Sequence, residues 1–286
     1  MTSVGGQAVA FGLTASAIWG AGDFSGGLAT KRAAPALVVF IAHGLSLLVL
    51  LGIVAVRHEP PPAHIFLGLL AGASGSIGLM ALYAALSLGS MGLAAATCSV
   101  VTATLPVLYS YLLEGHAGVV RLIGFAVAAV AIWLIAYTPG DKPHPRGLGL
   151  AVLAGVGCGT SLVLLHVAAV QSLPWALTLM RVASTVVSGA FGLALWMRGQ
   201  GSPAKASFSW RSAFLPAALA GLLDTTGNLF YVLASFAGRL DVAAVLSSLY
   251  PAGTMLLAAW FLKERATRSQ MAGMVLALAA VALISA

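Results

Sequence analysis

A few polar and charged side chains lie inside long apolar stretches of this sequence. They are Asp23, His43, His166, Arg181, Asp224 and Asn228. A charged group in apolar surroundings is costly unless it is paired or hydrated, so each of these residues needs a specific reason to be there. Carboxylates can hold protons or cations, whereas a guanidinium suits planar anions such as carboxylates or phosphates. The set predicts either a wet cavity that receives a ligand or hydrogen bonding between helices.

Helical spacing places several of these side chains on common faces. Asp224, Asn228 and Tyr231 recur at i, i+4 and i+7, and Trp19 and Asp23 lie one turn apart. We expect such faces to line a cavity. Their carboxylates would bind cations or protons, and their aromatic rings would contact an apolar part of the ligand. The alternatives are hydrogen bonds between helices or, for an Asp near a segment end, contact with headgroup water.

His43 and Arg181 take nearly equivalent places, each shortly after a proline, Pro35 or Pro174. Arg181 could bind an anionic ligand, or it could be a structural residue that pairs with Asp224 or with backbone carbonyls. His43 and the lone His166 could relay a proton or simply pack with a satisfied hydrogen bond. The predicted cavity residues are Trp19, Asp23, His43, Tyr83, Arg181, Asp224, Asn228 and Tyr231.

Motifs for other chemistry are missing from the sequence. In "RHEPPPAH", at 57–64, the prolines preclude a helical metal-binding geometry, so a loop is expected. Cys98 and Cys158 have no metal-ligand spacing and are expected to be small buried thiols. No Walker A loop, GxGxxG or GxSxG motif occurs, so we predict no cofactor, no metal and no catalytic residue.

The elements that position these residues follow from composition, since 60% of the residues are hydrophobic and only 7% are charged. Soluble domains carry about 25% charged residues, so lipid is the expected solvent. The net charge of +7 comes from basic residues scattered between apolar stretches. Without a basic patch that includes aromatic residues, nucleic-acid binding is not expected.

Ten apolar stretches are long enough to span a bilayer as helices. They lie at roughly 8–30, 36–56, 64–88, 92–113, 119–138, 147–170, 175–197, 212–236, 240–262 and 268–286. The sequence therefore predicts an all-α membrane protein with ten transmembrane helices.

A linker at 139–146 separates two five-helix halves, 1–138 and 147–286, whose sequences look alike. Residues 71–136 run parallel to 220–285 at an offset of about 149, which matches Gly72, Gly78, Gly89 and Gly124 with Gly221, Gly227, Gly238 and Gly273. Glu114 and Glu264 each close the fourth segment of a half. Since five is odd, the two copies must lie inverted across the membrane, as in secondary transporters. A membrane-embedded enzyme and a non-transporting scaffold are the rival interpretations.

The sequence resembles the drug/metabolite transporter superfamily, specifically the EamA-like ten-helix transporters. The resemblance rests on "AIWGAGDFSGG" in the first segment, on Tyr231 to Ala237, and on "LSSLYPAGTMLLAAWFLKERATRSQMAGMVLA" at 246–277. The first half departs from this pattern, with Val101 where Pro251 would predict proline. The resemblance implies export of amino acids, metabolites or drugs through a cavity lined by the first four and the sixth to ninth helices.

Orientation is predicted in two ways that disagree. Apart from Arg181, ten basic residues fall on the side of the 31–32, 139–147, 198–211 and 263–268 segments, against Arg57, Arg121 and Arg239 on the other. The positive-inside rule then places both termini outside, whereas the resemblance implies termini in the cytoplasm. We expect a multi-pass protein of a bacterial inner membrane, present as a monomer or homodimer, with the bilayer and a small-molecule substrate as partners.

Overall fold

The computed structural model describes residues 3–30, 32–88, 91–115, 118–136, 145–198, 213–261 and 267–285. Within these ranges the regular structure is helical and contains no strand, in agreement with the predicted all-α class. Residues 139–144 of the predicted linker, together with Gly89 and Glu264, lie outside the described residues. The last two linker positions, Pro145 and Arg146, begin a helix.

A helix or a pair of helices lies at each of the ten predicted apolar stretches. The helices are α1 (Ser3–Thr30), α2 (Pro35–Arg57), α3 (Ile65–Ser87), α4 (Met91–Leu113), α5 (Val119–Ala136), α6 (Pro145–Ala169), α7 (Leu173–Met197), α8 (Leu215–Ala237), α9 (Leu240–Ser247), α10 (Tyr250–Phe261) and α11 (Arg268–Ser285). Prolines at or next to the first position begin α2, α7 and α8, where the missing N–H has no intrahelical partner to lose.

The predicted stretch 240–262 contains two helices, α9 and α10, where the sequence predicted one. Pro251 cannot donate to the carbonyl one turn earlier, and its ring disfavours helical geometry just before it. Leu249 N–H instead donates to Leu246 O at 3.3 Å, a tighter turn that ends α9. Val101 takes the place of Pro251 in the first half, and α4 runs unbroken through it.

Length and composition make five described helices suitable for crossing a membrane: Pro35–Arg57, Ile65–Ala85, Pro145–Ala169, Leu173–Met197 and Leu215–Ala237. Shorter apolar helices lie at Thr97–Leu113, Val119–Ile135 and Arg268–Ile284. Large apolar side chains cover the outer faces, and Trp260 remains 82% exposed. A water-soluble surface rarely carries so much continuous apolar area, whereas lipid accommodates it.

The helices of residues 3–136 pack extensively on those of residues 145–285, and these contacts form a symmetric pattern along the sequence. Helix α1 packs on α8 and α3 packs on α6, while α2 packs on α7 and α5 on α11. If each of the first five helices is replaced by its counterpart in the second half, the contact of α1 with α8 becomes that of α6 with α3. The contacts of α2 with α7 and of α5 with α11 are unchanged by the same replacement.

Glycines at equivalent positions allow equivalent close approaches. A Cβ atom on Gly72 would collide with the carbonyl oxygen of Met180, and one on Gly221 with that of Ala42. These glycines are 149 positions apart and allow α3 to meet α7 and α8 to meet α2. Contact between backbones thus replaces the hydrophobic driving force that lipid does not supply between helices.

The outer pair α5 and α11 shows the same exchange. A Cβ on Gly124 would lie 2.8 Å from Ile284 Cγ1, and one on Gly273 would lie 2.8 Å from Ile135 Cγ1. The two contacts are equivalent, because Gly124 and Gly273 are 149 positions apart, as are Ile135 and Ile284. The pair packs against α4, α10 and α1 and leaves the interior to the other helices.

Candidate functional site

The interior holds a cavity of about 90 Å³, room for several water molecules. Helices α1, α2, α3, α4, α6, α7, α8 and α10 line it, and no described residue of α5 or α11 does. Its lining is Trp19, Asp23, His43, Gly75, Leu79, Leu82, Cys98, Thr102, Cys158, Ser161, Leu162, Met180, Arg181, Ser184, Asp224, Asn228 and Tyr250. Most of these residues lie in the middle of their helices, so the cavity is central in the bundle.

Asp224 is the centre of a polar network in this cavity. Its Oδ2 accepts a hydrogen bond from Arg181 Nη2 at 2.6 Å and lies 3.5 Å from His43 Nε2. Asn228 Nδ2, one turn further along α8, donates to the same oxygen at 3.3 Å. Arg181 Nε donates to the Thr225 hydroxyl at 2.9 Å. The i, i+4 spacing on α8 and the proline-fixed starts of α2 and α7 bring these groups together.

The two charges of the ion pair differ sharply in their access to the cavity. The Arg181 side chain is 0% exposed, whereas the Asp224 side chain is 32% exposed. Arg181 Nη1 and His43 Nδ1 are buried without a hydrogen-bond partner among the described residues. Arg181 therefore pairs with Asp224 and also belongs to the lining of the cavity, so both roles predicted for it remain predictions.

Asp23, on α1, lines the same cavity as this pair. It also lines a second space of about 20 Å³, together with Tyr83, Val39 and Gly22. Among the described residues, no hydrogen bond or ion pair involves its carboxyl group. Asp23 is therefore a carboxyl group in the cavity lining that has no hydrogen-bond or ion-pair partner among the described residues.

Trp19, one turn before Asp23, forms the aromatic wall of the cavity. Its Nε1 donates to the Asp224 carbonyl at 3.3 Å, and its ring meets that of Tyr250 edge-on at 6.4 Å. Gly227 makes room for the indole, since a Cβ there would press into the Trp19 ring. A larger residue at position 227 would therefore displace the Trp19 indole.

Two of the predicted cavity residues lie elsewhere. Tyr231 packs behind the Trp19 ring at 5.9 Å, is fully buried, and lines neither described space. Tyr83 lines only the smaller space, where its hydroxyl lies against Gly26. His166, the other lone histidine, bonds to the Ser235 hydroxyl at 2.9 Å away from the cavity, as a satisfied packing residue.

Sequence reasoning missed several lining residues. Ser184 follows Arg181 by three positions, and this spacing was a usable signal, but its hydroxyl donates to Gly72 O at 2.9 Å. The Ser161 hydroxyl likewise donates to Ala71 O at 2.6 Å. Cys98 and Cys158 are free thiols that line the cavity, which nothing in their sequence context predicted.

The "RHEPPPAH" segment forms the predicted loop between α2 and α3. Arg57 Nε lies 2.8 Å from Glu59 Oε1, and the Ser172 hydroxyl donates to Glu59 Oε2 at 2.7 Å. Across the residues that the structure describes, no cluster of three or more His, Cys, Asp or Glu could hold a metal ion. Among the described residues that line the cavity, the polar side chains are the Arg181–Asp224 pair, Asp23, His43, Asn228 and several hydroxyl groups.

Comparison with curated proteins gives no match. A solved structure described only as a crystal structure of a protein superposes with a TM-score of 0.76 over 97% of this chain and 98% of that chain. At 16% identity this likeness shows a shared fold and nothing more. Residues 145–286 match the model of the EamA-like transporter family. Together with the apolar helices, the match identifies a multi-pass membrane protein. Through this half the chain belongs to the EamA-like transporter family, a family of transporters rather than enzymes, within the drug/metabolite transporter superfamily.

Proposed function

We propose that the chain is a secondary transporter, gradient-driven or facilitative, that exports small organic solutes such as amino acids, metabolites or drugs. The proposed mechanism is alternating access of the central cavity to the two sides of a bacterial inner membrane. Ten spans, with α9 and α10 forming the ninth, and two inverted five-helix repeats on either side of the linker 139–146 belong to the same proposal.

The observation that carries the proposal is the ion pair of Arg181 and Asp224 beside a polar cavity in mid-bundle. A charge at this depth is costly, and such pairs in membrane proteins mark solute or ion pathways. A protein that only packed helices together would be at least as stable with apolar side chains at these positions. The pair lies between α7 and α8, with His43 of α2 and Trp19 of α1 against it, so both halves contribute to its surroundings.

The equivalence of the halves supports alternating access. Two similar halves can exchange conformations, so that one central site opens first to one side and then to the other. The matched contacts at Gly72 and Gly221, and at Gly124 and Gly273, give the two halves comparable packing.

Solute flux into proteoliposomes tests this function. Purified protein is reconstituted and challenged with amino acids, sugars and amines, with empty liposomes as the background. We expect at least one class to move faster than background, and Asp224→Asn to slow that flux while Glu59→Gln, a matched carboxylate change in the α2–α3 loop, leaves it unchanged. A broad panel that moves no faster than in empty liposomes would contradict transport and favour a membrane-embedded enzyme or a scaffold.

A further inference from the structure

The charges that a solute meets in the cavity are negative, although the residues around it include both signs. The guanidinium of Arg181 is 0% exposed, with Nη2 on Asp224 and Nε on Thr225. The His43 side chain is 4% exposed, and its Nε2 faces Asp224. A carboxylate on a solute therefore finds no accessible cation among the described lining residues.

Both acidic side chains, in contrast, reach the cavity. Asp224 remains 32% exposed while paired, and Asp23 is partly exposed without a partner among the described residues. When Asp23 and Asp224 are both ionised, two carboxylates face the one guanidinium of Arg181, and one negative charge has no partner among the described lining residues. A carboxylate that is largely shielded from water and has no partner is costly, so a positively charged group from solution would stabilise it.

The remaining walls suit an apolar body attached to that positive group. Trp19 lies one turn from Asp23, and Tyr250 meets it edge-on. Leu79, Leu82 and Leu162 supply the apolar surface. An ammonium beside an indole also gains from the charge distribution of the ring.

We propose that the transported solute is an organic cation, an amine with an apolar body and no carboxylate of its own, held by Asp23 beside Trp19. This inference rests on the transport function proposed above and narrows its substrate class. It ranks an amine above the corresponding amino acid, because the carboxylate of the amino acid would face two acidic side chains and no accessible guanidinium.

Three probes with one ring and different charges test the inference. Phenethylamine is a cation, phenylalanine is a zwitterion and 3-phenylpropionate is an anion. Binding of each to the purified full-length protein in nanodiscs is measured by calorimetry, and flux of each is measured in proteoliposomes. We expect phenethylamine to bind at least tenfold more tightly than the other two and to be transported.

Asp23→Asn identifies the residue responsible, with Glu59→Gln as the control that removes an equal charge outside the cavity. We expect Asp23→Asn to weaken phenethylamine binding at least tenfold and Glu59→Gln to leave it unchanged. If Asp23→Asn does not fold, the comparison of the three probes on the wild type decides alone.

The contrary outcomes separate the two proposals. Phenylalanine or phenylpropionate binding as tightly as the amine would overturn the inference, as would an undiminished amine preference in folded Asp23→Asn. If none of the three probes binds while another solute is transported, the substrate class is wrong and the transport function stands. If no solute moves at all, the transport function itself is wrong.

Discussion

At the scale of single residues, the polar network in the cavity is built around the ion pair of the Arg181 guanidinium with Asp224. The sequence offered a pair of Arg181 with Asp224 as one of two alternatives and gave no sign that His43 also lies beside Asp224. What the sequence could not reveal is that Arg181 is completely covered while Asp224 stays partly exposed. That difference depends on how closely α7 approaches α8, a tertiary property that no periodicity encodes.

Tyr231 shows the limit of the same reasoning. It shares a face with Asp224 and Asn228, as the i, i+7 spacing predicted, yet the ring of Trp19 lies against it. Its hydroxyl has no hydrogen-bond partner among the described residues. One helix face thus lines the cavity at Asp224 and packs in the core two turns later, which periodicity alone cannot distinguish.

The ion pair predicts an asymmetric pair of mutational effects. Asp224→Asn leaves a fully covered guanidinium without its counter-charge, and we expect it to destabilise the protein by about 3 kcal/mol. Arg181→Gln leaves a carboxylate that keeps Asn228 and water, so a smaller loss is expected. The double variant should recover part of the summed loss, as coupled neighbours do. Thermal unfolding of the four proteins in detergent measures this cycle, and strict additivity of the two losses would show that the pair does not interact.

At the scale of helices, the sequence predicted where they lie but not how closely they approach. Apolar runs and their punctuation gave bounds within a few residues of those observed. The break at Ser248 was missed because Pro251 can either end a helix or be tolerated inside it, as Pro106 is in α4. Neighbouring structure decides between these two outcomes.

The matched glycines give a prediction at this scale. Gly72→Ala and Gly221→Ala would each push a Cβ into a facing carbonyl, and we expect each to cost about 1–3 kcal/mol, as overpacking does. Gly52→Ala is the control, since a Cβ there meets nothing within 4 Å. The control should be neutral or slightly stabilising, because alanine favours helix.

Thermal unfolding and monodispersity of the three alanine variants in detergent measure this difference. Equal effects at positions 72 and 221 would fit their equivalent places in the two halves. Stability losses no larger than that of Gly52→Ala would show that these helix crossings tolerate a methyl group.

At the scale of the whole molecule, a polar cluster joins the halves at one end of the bundle. Arg239, between α8 and α9, donates from Nη2 to Asp241 at 2.9 Å and to the carbonyl of Gly115, beyond α4, at 2.9 Å. The Ser110 hydroxyl and Leu240 N–H both donate to Glu114 Oε2. The hydrogen bonds to Asp241 raise the pKa of Arg239 further above its usual value, so the cluster keeps its charge at any assay pH.

The proposed alternating-access mechanism predicts that changing this cluster affects access from the two sides of the membrane in opposite directions. If the cluster stabilises closure at the Arg239 end, Arg239→Gln removes about 1 kcal/mol of that closure, roughly a fivefold change in populations. In the proposed mechanism one set of helices exchanges between two arrangements, so more opening at that end means less opening at the other.

Cys158 in the cavity can report this exchange in a Cys98→Ser background, since the chain has two cysteines. Its reaction with a membrane-impermeant thiol reagent is timed in right-side-out and inside-out vesicles. Arg239→Gln should speed the reaction from the Arg239 side and slow it from the opposite side. Arg57→Gln is the control. Arg57 is the last residue of α2, at the end of the bundle where the proposed helix order also places Arg239. Its side chain is 61% exposed, so its pair with Glu59 contributes little. If the reaction becomes faster from the Arg239 side and is not slowed from the opposite side, the result would contradict alternating access. It would indicate a pore whose two ends open independently, because in alternating access opening one side closes the other.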